Sequence, residues 1–143
     1  MARLAAVYAG IVLSSLVVLA PAQAADIDNY WDGNWRSHHE GTKVMVLDLE
    51  QKKGKRGVTG TYKHPKDNHG VHGGDKGTIT AEAKGEFGKK LKGSYKSNSG
   101  GGKGNFEIKL KPDLASWKGE FWPCRYRFYC DVFDWTGNKP GFD

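Results

Sequence analysis

Along this chain apolar side chains return at every second position. Met45, Leu47 and Leu49 alternate with Val46, Asp48 and Glu50; Ile79, Ala81 and Ala83 alternate with Thr80, Glu82 and Lys84; Phe106, Ile108 and Leu110 alternate with Glu107, Lys109 and Lys111. Alternate residues of an extended strand share a face, so each run predicts a strand with one buried side. A second pattern follows these runs. It is a five-residue unit of apolar residue, spacer, glycine, spacer, and apolar or aromatic residue. The unit occurs as Trp31-Asp-Gly-Asn-Trp35, Val58-Thr-Gly-Thr-Tyr62, Leu91-Lys-Gly-Ser-Tyr95 and Trp117-Lys-Gly-Glu-Phe121. As strands, these units put apolar, Gly, apolar on one face. A buried Gly suits a curved sheet where the backbone bends or a large neighbour lies across it. A helix would scatter the same residues and lose free energy at the Gly.

Together the patterns predict eight strands, at 31–36, 43–50, 57–63, 77–84, 90–96, 104–111, 115–122 and 131–137. No segment of the chain beyond residue 24 sustains a helical period with caps. Short connectors at 51–56, 85–89 and 112–114 carry Gly or Pro-Asp hairpin chemistry. The expected fold is all-β, an eight-stranded antiparallel up-and-down barrel, whose closure removes exposed sheet edges. A two-sheet sandwich would need longer crossing connections.

Closure would sort the loops. The three short hairpins share one end, and the connectors 37–42, 64–76, 97–103 and 123–130 share the other. All five histidines (His38, His39, His64, His69, His72) fall at that second end, with Arg36, Lys63, Lys66, Lys76, Lys103, Arg125 and Arg127. Binding chemistry tends to gather at such a mouth.

The first stretch stands outside this scheme. Arg3 gives a basic start, 5–20 is an apolar run, and Ala22-Gln-Ala24 is a small-residue cleavage site. That reads as a signal peptide over 1–24, with a single barrel domain over 25–143. The run falls short of the roughly 20 residues of a membrane span, and the chain beyond it has no further long apolar run. The protein is therefore expected to be exported, periplasmic or secreted. The only two cysteines, Cys124 and Cys130, then read as a disulfide closing a small loop.

Charge is unevenly spread. Residues 25–50 hold two basic and six acidic groups, residues 51–111 fifteen basic and five acidic, and residues 112–143 four basic and five acidic. The basic middle suits an acidic partner or an anionic surface in the envelope. Lysines on the solvent side of strands also simply keep a sheet soluble.

The Gly-aromatic units and the closing Asp134-Trp-Thr-Gly137 resemble those of avidin-like and lipocalin-like small secreted bacterial β-barrels. The resemblance covers most of the chain beyond the signal and implies the same barrel fold. Tyr62 matches the tyrosine that ends the Thr-Gly-Thr-Tyr strand of avidins. The biotin set is otherwise missing. Arg36-Ser37-His38-His39 lacks the Asn of the first loop, His64 stands where a Ser is expected, and the Asp of the last strand has no match.

Three further stretches invite a functional reading, and two of them stand as candidate sites. His64, His69 and His72 share one loop, and neutral imidazole suits Zn, Cu or Ni, although nearby lysines oppose a cation. Arg125-Tyr126-Arg127-Phe128-Tyr129, braced by the disulfide, is a basic-aromatic knuckle, and Arg and Tyr are favoured in binding hot spots. Gly100 to Gly104 lacks the following helix of a phosphate loop and reads as a hairpin loop. Export argues against a nucleic-acid partner. No nucleophile elbow or metalloprotease spacing supports an enzyme, and no cofactor is implied. The expectation is a non-enzymatic binding protein taking a small or anionic ligand at its mouth, through Arg36, Tyr62, Arg125, Tyr126 and Arg127. The alternatives are a module that binds or inhibits an envelope or extracellular protein through the 123–130 loop, and metal capture by the His loop.

Overall fold

The computed structural model describes residues 27–39, 44–66, 74–100 and 102–141. Its eight strands are β1 (Gly33–His39), β2 (Met45–Gln51), β3 (Gly57–Lys63), β4 (Lys76–Lys84), β5 (Lys90–Ser97), β6 (Lys103–Leu110), β7 (Ser116–Trp122) and β8 (Phe133–Asn138). Each strand pairs antiparallel with the next, and β8 returns to β1, closing the barrel in sequence order. The all-β barrel read from the two periodicities is what the chain forms. Among the described residues no helix is long and apolar enough to cross a membrane. The expected signal segment lies outside the described residues.

Burial follows parity. Met45, Leu47 and Leu49 point inward and their neighbours outward, and β4 alternates in the same way from Lys76 to Lys84. The interior is filled by rings as well as aliphatics. Trp35, Tyr62, Phe106, Trp117 and Trp135 are all buried, while Tyr95 is only partly so.

Small residues make room for these rings. Tyr62 sits opposite Gly77, Tyr95 opposite Gly104 and Trp117 opposite Gly137 across neighbouring strands. A Cβ on any of the three glycines would collide with the facing ring. The glycines inside the repeated unit do a different job. At Gly60, Gly93 and Gly119 a Cβ would meet the adjacent strand itself, so these positions mark where strands approach too closely for a side chain.

The first repeat departs from expectation. Trp31 does not continue β1; it lies in a turn closed by Asp32 N–H donating to Asn29 O (3.1 Å), and Gly33 opens the strand at φ +103°, a conformation that favours glycine. Trp31 instead lies across the hairpin end of the barrel. Its backbone N–H donates to Gln51 Oε1 (3.2 Å), its indole N–H donates to Gly88 O (2.8 Å), and its carbonyl accepts from the Trp35 indole (3.0 Å). Ile27 is buried beside it, with its carbonyl accepting from Gly54 N–H (2.8 Å). Period alone placed both tryptophans in one strand. The buried hydrogen bonds available to Trp31 at the barrel end outweighed strand continuation. The last strand likewise begins at Phe133, two residues later than its periodicity suggests.

Candidate functional site at the barrel mouth

At the mouth, three strand ends bring polar side chains inward. β3 carries Tyr62 and runs on to His64. Asp75 stands one residue before β4, with the parity of Gly77 and Ile79, and so faces the interior. Ser97 closes β5. The Asp75 carboxylate accepts from Tyr62 Oη at 3.1 Å and from Ser97 Oγ at 2.6 Å. Ser97 Oγ in turn accepts from Ser99 N–H at 3.0 Å, and the loop is stitched shut where His64 N–H donates to Asp75 O at 2.8 Å.

These contacts set the charge state. Burial works to raise the Asp75 pKa, but hydrogen bonds from Ser97, Tyr62 and Ser99 and the neighbouring His64 outweigh it, and the net direction is down. Asp75 is therefore a carboxylate at neutral pH. Burial first, and then the Asp75 charge and hydrogen bond, push the Tyr62 phenol up. Burial alone pushes Tyr95 up to about 12. Both phenols remain neutral hydrogen-bonding groups.

A chain of rings continues around the mouth from this cluster. Tyr62 meets His64 edge-on with centroids 5.9 Å apart, and Tyr95 edge-on at 6.3 Å. Tyr95 meets Phe121 at 6.2 Å, and Phe121 stacks on Phe133 at 5.2 Å and touches Trp135 at 5.8 Å. Tyr95 and Phe121 are half-buried and Phe133 is exposed, so the inner wall of the mouth presents ring surface to solvent. Deeper in, Ser37 Oγ and the indole N–H groups of Trp117 and Trp135 are buried without a hydrogen-bond partner among the described residues. Ser37 and Trp117 both sit opposite Gly137, two residues from Trp135, so close ring packing there comes at the expense of hydrogen bonding.

The site residues read from sequence divide between inside and outside. Tyr62 and His64 face inward and meet. Arg36 lies on the outer face of β1, and Arg125, Tyr126 and Arg127 stand on the knuckle between β7 and β8. His69 and His72 lie outside the described residues. Among the described residues, no three His, Cys, Asp or Glu side chains gather as metal ligands.

Cys124 and Cys130 form the disulfide. The knuckle it closes folds back on the barrel wall. Asn105 Nδ2 donates to Cys124 O at 2.8 Å, Arg127 pairs with Glu120, and the Arg127 guanidinium lies 5.7 Å from the Trp122 ring centroid. That cover explains why Trp122 is buried at an outward position. The knuckle's own rings are left out: Phe128 is 97% exposed, Tyr129 83% and Tyr126 54%.

Asp75, Ser97, Tyr95, Phe121 and Phe133 are not among the site residues read from the sequence, although Tyr95 and Phe121 close two of its repeated units. Strand parity carried the signal for Asp75 and Ser97, because each continues the inward series of its strand by one more step. Comparisons with protein-family models, with curated proteins and with solved structures found no match.

Proposed function

We propose that this is an exported, non-enzymatic binding protein whose ligand site is the mouth of the barrel. The observation that carries this reading is the ring-lined wall of Tyr95, Phe121 and Phe133 beside a buried carboxylate, above an interior filled with aromatic side chains. The filled interior favours a shallow site over a deep carrier cavity. A group of half-exposed rings offers apolar contact, and Asp75, Tyr62 and Ser97 offer polar orientation, the composition of a small-molecule site. The charges divide the ligand chemistry. Asp75 is ionised within the mouth and the arginines and lysines stand outside it, so the mouth suits a neutral or cationic small ligand and the outer face an anion. Aromatic faces also attract cations directly.

The test uses tryptophan fluorescence, since Trp135 lies under the ring wall. Titration with phenethylammonium is expected to give a saturable change, with phenylacetate binding at least about tenfold more weakly. Asp75→Asn should narrow that gap, and Phe133→Ala should weaken both probes. Equal response to the two ions, or no saturable response to either, contradicts the reading.

A further inference from the structure

The outer face of the sheet has an unusual charge order near the mouth. Across β3 and β4, Lys63 stands directly opposite Lys76; across β5 and β6, Lys96 stands directly opposite Lys103. All four are exposed, and among the described residues none has an ion-pair partner. Like charges directly opposed across a ladder destabilise it. On these strands the next outward positions are neutral: Thr61 and Thr78 follow Lys63 and Lys76, and Ser94 and Asn105 follow Lys96 and Lys103.

Lysines also face each other at the hairpin end, where Lys84, Lys90, Lys109 and Lys118 are in register. There, however, the neighbouring row supplies carboxylates. Lys84 pairs with Glu82 at 2.5 Å and Lys90 with Glu107 at 2.5 Å. At the mouth the row beside Lys63 holds one carboxylate, Asp48, diagonally across on β2 and not in an ion pair with it, while Ser94 and Asn105 stand beside Lys96 and Lys103.

Directly alongside Lys103, the knuckle adds apolar surface. It is tied to β6 through Asn105 and to β7 through Glu120, so it is part of the same end. Phe128, Tyr129 and Tyr126 project from a turn with no buried residue, and Val132 and Phe133 extend the exposed apolar surface toward the mouth. Arg125 lies 5.2 Å from the Tyr126 ring centroid. A disulfide and wall contacts that fix a loop while leaving its rings in water prepare those rings for a partner.

We propose that the mouth end docks on an anionic phospholipid bilayer, with Phe128 and Tyr129 entering the headgroup boundary and Lys63, Lys76, Lys96 and Lys103 lying against the lipid charge. Aromatic side chains favour that boundary, and lysines held near an anionic leaflet are attracted to it individually. An anion spread over a surface answers a row of separated lysines better than one small anion does. The combination of apolar tip and flanking cations is that of a peripheral membrane contact. This inference stands on the outer face and does not depend on a ligand in the mouth.

The experiment is co-sedimentation of the protein, purified after export, with phosphatidylethanolamine vesicles containing phosphatidylglycerol, and with phosphatidylcholine vesicles. Binding is expected to the anionic vesicles only and should weaken as salt rises. Replacing all four lysines by Gln should weaken it several-hundredfold, given roughly fivefold per lysine. Phe128→Ser should weaken it several-fold, and Asp75→Asn should leave it unchanged. A cooperative thermal unfolding transition in each variant would show that it is folded. Absence of binding to the anionic vesicles overturns the proposal. So does equal binding to both vesicle types, or binding that both surface variants retain. Capture of an envelope protein through Phe128 by a protein that ignores vesicles would also overturn it and assign the knuckle to a protein partner.

Discussion

The two ends of this barrel are built to opposite standards. At the hairpin end, Trp31 is wholly buried, its indole and backbone N–H groups are both matched, and Gln51 donates onward to Lys55 O at 3.0 Å. Lysines there stand beside glutamates. At the mouth, rings remain half in water, a carboxylate is kept charged inside the rim, and lysines face lysines. Stability in a protein is not uniform, and interaction surfaces are drawn from its less stable parts. With the hairpin end closed in this way, exposed rings and opposed lysines at the mouth are the features on which the proposed interactions rest.

The largest expected effect tests that division. Trp31→Ala removes a wholly buried ring and its indole hydrogen bond to Gly88 O, and should lower stability by about 3–5 kcal/mol in denaturant unfolding. Phe133→Ala at the mouth should cost less, about 1–2 kcal/mol, because the ring is already 40% exposed. A similar loss from both would erase the contrast.

Next comes Gly119→Ala, which places a methyl against the Glu107 backbone on the adjacent strand. Overpacking of this kind costs about 1–3 kcal/mol. Gly54→Ala, in the open β2–β3 turn with nothing near the added carbon, should cost less, its penalty coming only from the positive φ. The two can be compared by melting temperature.

Asp75→Asn is expected to cost on the order of 1 kcal/mol at neutral pH, through weaker hydrogen bonds to Tyr62 and Ser97. Its pH dependence is more telling. A carboxylate whose folded pKa is depressed adds stability that is fully present above its unfolded value of about 3.9 and is lost as pH falls through the folded value. The wild-type protein should lose this contribution on acidification below about pH 4, and the Asn variant should lack that part of the curve. Parallel curves for the two proteins would mean that the native Asp75 is not held charged.

The smallest effect concerns the lysines. Lys103→Glu would turn the Lys96–Lys103 opposition into an ion pair and should stabilise the fold by about 0.3–0.5 kcal/mol. Lys90→Gln, at the other end, removes an existing pair with Glu107 and should destabilise by a similar amount. Destabilisation by Lys103→Glu would show that the mouth lysines serve the fold.

The barrel was legible because its information is local. Met45 to Leu49 and Phe106 to Leu110 declare their faces through alternation alone, and short hairpins fix the order of pairing. Trp31 shows the limit. Its spacing from Trp35 is that of a strand, and only the positions of Gln51 and Gly88, distant in sequence, decide that it caps the barrel. The mouth was half legible. Tyr62 and His64 were marked by the repeat and the histidines, but the importance of Asp75 depends on meeting Tyr62 and Ser97 across two ladders. The opposition of Lys96 and Lys103 is a fact of register, which single-strand patterns do not carry. The knuckle was readable in composition, while the full exposure of Phe128 depended on how Arg127 and Asn105 fasten the loop to the wall.

The central claim is that interaction belongs to the mouth end. Amide NMR shift mapping with a short-chain phosphatidylglycerol, which carries both an anionic headgroup and apolar chains, tests it most directly. The account predicts perturbed amides within 62–66, 74–78, 95–104 and 120–135, with 27–33, 51–57, 84–90 and 110–116 unmoved. Shifts centred on the hairpin end, or spread evenly around the barrel, would contradict it.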